Sequence, residues 1–130
     1  MYRWVDHTAE VELAIEADSE QEVLKDATAA LAELLGFAGV AGAEARELAV
    51  SAPDRPALLA AWLEELVYLA EKEGFIATAV DRLELGPDGL DATVVGVVGD
   101  PPPLVKAVTY HRLAFDRGSS GYVANVVLDV

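Results

Sequence analysis

Two changes of hydrophobic period constrain this chain more than any other feature. Val11, Leu13 and Ile15 alternate with Glu10, Glu12, Ala14 and Glu16. A period of two with one acidic face predicts a strand covered on one side only. The period then lengthens. Ser19 opens a helix, and Glu22 three residues on completes a capping box, with the Ser oxygen and the Glu carboxylate each satisfying an orphan amide. Val23, Ala27, Ala30, Leu31, Leu34 and Leu35 follow at helical spacing, and Gly36 stops the run. The same change recurs downstream. A short strand is expected over Arg46–Ser51, and Asp54 with Pro56 starts a second helix. Its apolar stripe is Leu58, Leu59, Trp62, Leu63, Leu66 and Leu69, and Gly74 ends it.

The second half reads as strands joined by hairpins. Phe75–Leu85 and Leu90–Val98 flank the turn Gly86-Pro87-Asp88-Gly89. Gly99-Asp100-Pro101-Pro102-Pro103 is a stiff connection lacking amide donors at three positions. A long strand is expected over Leu104–Phe115, a turn over Arg117–Gly121, and a last strand over Tyr122–Val130. With Tyr2–Val5 as the opening segment, the order is strands, helix, strand, helix, four strands. It predicts a single α+β domain over residues 1–130, a mostly antiparallel sheet with two amphipathic helices packed on one face. The repeated strand–helix–strand order permits an internal duplication.

Composition narrows the chemistry. The chain has 23 acidic residues against 9 Lys and Arg, a formal net charge of −14. Proteins that grip a phosphate backbone carry clustered Lys and Arg, so stable direct RNA binding is not expected. The balance fits a partner of basic surfaces or a site for cations. Cysteine is absent, which excludes disulfides, zinc–thiolate sites and thiol catalysis. There is no Gly-x-Gly-x-x-Gly, no phosphate-binding Gly-Lys-Ser/Thr loop and no Gly-x-Ser-x-Gly elbow. No apolar signal core and no uninterrupted apolar stretch of about 18 residues is present, so a cytoplasmic location without a membrane span is expected.

Three polar groups remain as candidate sites. Asp6-His7-Thr8-Ala9-Glu10 holds one of the two histidines, and Lys106-Ala107-Val108-Thr109-Tyr110-His111 holds the other. The first equally fits a turn shaped by Asp6 and Thr8 with His7 exposed. The second equally fits a half-buried strand, with Lys106, Val108 and Tyr110 on one face and Ala107, Thr109 and His111 on the other. The third is the ending Val127-Leu128-Asp129-Val130, which brings the Asp129 and terminal carboxylates close in sequence. With an early acid such as Glu10, three hard oxygen groups would suit calcium, magnesium or manganese. Taken alone, the residues favour a solvated strand end.

Asp6-His7-Thr8-Ala9-Glu10 resembles the Asp-His-Thr-Ala-Asp signature of the archease family. Leu58-Leu59, Trp62-Leu63 and on to Leu66, the stretch Val105–His111, and the ending Leu128-Asp129-Val130 are similar to that family in the same order. The resemblance spans nearly the whole chain. It implies nested strand–helix–strand–strand modules. It also implies a non-catalytic accessory protein of the RtcB-type RNA ligase, which joins RNA ends in tRNA splicing or RNA repair. Such a protein promotes guanylylation of the ligase histidine and supports multiple turnover. The GTP would be used by the partner and not bound by this chain alone. The resemblance further implies a divalent cation, calcium before magnesium or manganese, held by Glu10, Asp129 and the main chain or terminal carboxylate of Val130. Asp6, His7, Lys106 and His111 would shape that surface or touch the ligase. Two departures stand out: Glu10 replaces the usual aspartate, and the segment before Lys106 is short. A second expectation is a chaperone-like modulator of an RNA-modifying enzyme such as a tRNA methyltransferase. A third, a self-sufficient metal-dependent hydrolase, lacks a nucleophile motif.

Overall fold

A computed structural model describes residues 1–130. The elements run β1 (Tyr2–His7), β2 (Glu10–Ala17), α1 (Glu20–Leu34), β3 (Glu44–Ser51), α2 (Arg55–Glu73), β4 (Phe75–Gly86), β5 (Gly89–Val98), β6 (Ala107–Arg117) and β7 (Tyr122–Asp129). All strand pairs are antiparallel. The expected α+β class is present, with one difference in layering. The strands divide into a four-stranded sheet of order β1-β2-β7-β6 and a three-stranded sheet of order β3-β5-β4. Each helix touches strands of both sheets, so the helices lie between them. Pairing is non-local, so element order alone does not separate one sheet from two.

Local chemistry sets both helices. The Ser19 hydroxyl accepts from the Glu22 N–H at 3.1 Å. The expected return bond from Glu22 is replaced by a contact with Lys25 at 3.7 Å, so the box is half formed. Past the C-cap residue Leu35, Gly36 takes φ +89°, and the Phe37 N–H reaches back to Ala32 O at 2.8 Å. On α2, the Asp54 carboxylate accepts from the Ala57 N–H at 2.9 Å. Gly74 closes that helix at φ +66°, where a Cβ would lie 2.6 Å from Gly99 O. Only glycine meets both demands.

One cluster of 27 buried residues draws on both helices and both sheets, so the layers share a single core. Trp62 is its largest fully buried side chain. Its indole N–H donates to Thr28 Oγ1 at 2.9 Å, and the Thr28 hydroxyl donates to Leu24 O at 2.9 Å. That chain satisfies the only buried polar side chain of the core.

The expected long strand over 104–115 starts later. The Leu104 N–H turns back to Pro102 O at 2.8 Å, and β6 begins at Ala107. Between Thr109 and Ala114 the β6–β7 register slips, so residues 110–113 oppose the single residue Val126. Arg112 sits in this bulge at φ +57°.

Candidate functional site

The β1–β2 hairpin turns through Thr8 and Ala9, with Ala9 at φ +60°. This tight turn sets His7 directly opposite Glu10. Glu10 in turn pairs with Asp129 on β7, and Asp129 with Ala107 on β6. Directly opposed residues share a face, with Cβ atoms about 4.5–5.5 Å apart. One row across the sheet therefore reads His7, Glu10, Asp129, Ala107. Two acids separated by most of the sequence become neighbours. Main-chain bonds fix the row's end: Lys106 N–H donates to Asp129 O at 2.8 Å, and Val130 N–H donates to Ala9 O at 3.1 Å.

Like charges directly opposed disfavour the pairing. A cation between them reverses that sign. The donor set is hard oxygen, the type that suits calcium, magnesium or manganese. One row further on, Thr109 pairs with Val127, and its buried hydroxyl has no hydrogen-bond partner. The residues thus fit an oxygen-preferring ion. No group of three or more His, Cys, Asp or Glu side chains is assembled anywhere in the chain, so the row offers two carboxylates and no third side chain of these types.

The remaining expected residues are dispersed. Asp6 pairs with Val11 and lies on the face opposite Glu10. Lys106 precedes β6 and is joined to the row through its backbone. His111 falls in the bulge, where the strict alternation assumed for residues 106–111 ends after Thr109.

A second polar group flanks the row. Glu12 lies two residues from Glu10 on the same face of β2. Its carboxylate meets His7 Nε2 at 2.9 Å and Arg112 at 3.3 Å. The His7 hydrogen bond foremost, then Asn125 and the Arg112 charge, hold this carboxyl below the usual carboxylate range, against the opposing effect of burial. Asn125 Nδ2 donates to Arg112 O at 3.1 Å and so secures the left-handed residue. Alternation marks Glu12 only as part of an acidic face. Nothing local marks Arg112, because the bulge that turns it toward Glu12 has no glycine or proline signal.

The fold and this row define a class: small, acidic α+β domains with a paired-carboxylate sheet end and no nucleophile elbow. The family model of the Archease protein family (MTH1598/TM1083) matches residues 2–130. The chain is 31% identical over 139 residues to protein archease of Methanosarcina barkeri, covering 99% of this chain and 95% of that one. It is also 31% identical over 140 residues to protein archease of Archaeoglobus fulgidus, covering 99% and 98%. The solution structure of Methanobacterium thermoautotrophicum protein 1598 is similar in fold, with TM-score 0.76 at 24% identity over 99% of this chain and 98% of that one. A Thermotoga maritima crystal structure described as an archease, possible chaperone, gives 0.71 at 24%, covering 100% and 98%. The chain belongs to the archease family. No helix is long and apolar enough to cross a membrane.

Proposed function

We propose that this chain is the accessory activator of an RtcB-type RNA ligase, promoting guanylylation of the ligase and its multiple turnover in tRNA splicing or RNA repair. It contributes no catalytic residue of its own. Glu10, Asp129 and a main-chain or terminal oxygen of Val130 hold one divalent cation, calcium before magnesium or manganese, and present it to the ligase. The cation supplies positive charge at the interface. Glu10 and Asp129 hold it by opposing one another, and the Ala9 and Lys106 backbone bonds keep the chain end in register. GTP belongs to the ligase. The observation that carries this reading is the register pairing of Glu10 with Asp129 in a chain of the archease family.

The acidic balance of −14 supports docking on a basic, RNA-handling protein, and the same charge repels RNA. The test is guanylylation and turnover of the ligase from the same organism, in defined GTP and divalent metal. The native chain should raise both rates, and Asp129→Ala should abolish the gain while circular dichroism stays unchanged. An inert native chain, or full activation by Asp129→Ala, overturns the proposal. A chaperone-like modulator of an RNA-modifying enzyme is the second reading, favoured by the description of the Thermotoga maritima structure as a possible chaperone.

A further inference from the structure

A groove of about 680 Å³ opens at the far end of α2, between that helix and the strap 99–105. Its floor is apolar: Leu35 from the end of α1, Val67 and Ala70 from α2, and Val105. Leu104 on the strap stays about one-third exposed at its edge and extends the apolar surface of the groove. The strap itself is stiff. Pro101, Pro102 and Pro103 fix φ and offer no N–H, and Gly99 N–H is tied to Gly74 O at 2.8 Å.

The polar part of the groove has one sign. Glu71, Glu73 and Asp100 line it, and no Lys, Arg or His does. Glu73 is partly matched by Arg46 at 3.2 Å, whereas Glu71 and Asp100 make no ion pair. The last turn of α2 adds carbonyl groups without intrahelical partners, the negative end of the helix dipole. Acids and helix carbonyls accept hydrogen bonds, and the proline wall donates none. The complement is a chain that carries cationic donors beside an apolar anchor.

We propose that this groove docks a short basic segment of a partner protein, with an aliphatic side chain against Leu104 and the apolar floor, and Lys or Arg facing Glu71 and Asp100. Charge complementarity commits the site to that occupant rather than to a second copy of this chain, whose groove carries the same negative sign. The strap ends at Val105, one residue before Lys106, whose N–H donates to Asp129 O. The inference goes beyond the ion site and needs neither ligase nor metal for its test.

The probe is a short fluorescein-labelled peptide of leucines at helical spacing with lysines between them, followed by anisotropy at low salt. The native protein should bind it. Leu104→Asp, and the pair Glu71→Arg with Asp100→Arg, should each weaken binding by about tenfold or more. The control pair Glu47→Arg with Asp91→Arg makes the same change of charge on the exposed face of the three-stranded sheet and should leave binding within about twofold. No binding, or an equal loss from the control pair, overturns the proposal. Concentration-dependent dimers that Leu104→Asp abolishes would also overturn it, in favour of a second copy.

Discussion

Glu12 holds three elements together through one carboxylate. It ties His7 on β1 at 2.9 Å and Arg112 of the β6 bulge at 3.3 Å, while itself standing on β2. Its carboxyl lies below the ordinary value of 4.5 because these partners favour the charged form. The sign of the linkage follows. An acid held below its unfolded value contributes stability above that value and loses it as pH falls through the folded one. Glu12→Gln should therefore lower the melting temperature at neutral pH, and the gap should close as pH falls below the ordinary 4.5 and through the folded value. Thermal melts of both proteins across pH check this; a gap of constant size at every pH contradicts it. The early signature and the final acid were legible as residue types only through the resemblance to archeases, because exposed acids are common in a chain with 23 of them. The role of Glu12 was not legible, since its partner Arg112 reaches it through a register slip that leaves no mark in local sequence.

The capped ends were the most legible elements. Ser19, Asp54 and Gly74 act through groups within a few residues of themselves, so their chemistry is visible without knowing the fold. The strand–turn–strand pairs were legible for the same reason. The division into two sheets was not, because it depends on which strands meet across the helices. The contact between α1 and α2 is also of this kind. Thr28 and Trp62 meet at 2.9 Å from 34 positions apart. Thr28→Val keeps the shape and leaves the buried indole N–H unpaired, which costs about 1–3 kcal/mol. Urea unfolding should show the midpoint falling by a corresponding amount, with Thr28→Ser retaining most of the stability. An unchanged midpoint for Thr28→Val would mean that the bond is not holding the helices in place.

At the scale of the molecule, the two helices and two sheets form one core, and the four-stranded sheet carries the candidate ion row at one end. The row joins a hairpin formed early in the sequence to the last strand, so its two acids meet only when β2 pairs with β7. That is why the residues alone favoured a solvated end and the resemblance to archeases favoured an ion. An ion that bound only the paired strands would stabilise the folded chain by mass action. The measurement that tests this most directly is calorimetric titration of calcium into the native chain, Glu10→Gln, Asp129→Asn and the double variant. The account predicts one site on the native chain, a loss of about tenfold or more in affinity for each single variant, and a double variant no worse than the weaker single one. Single variants that bind calcium as the native chain does would contradict it.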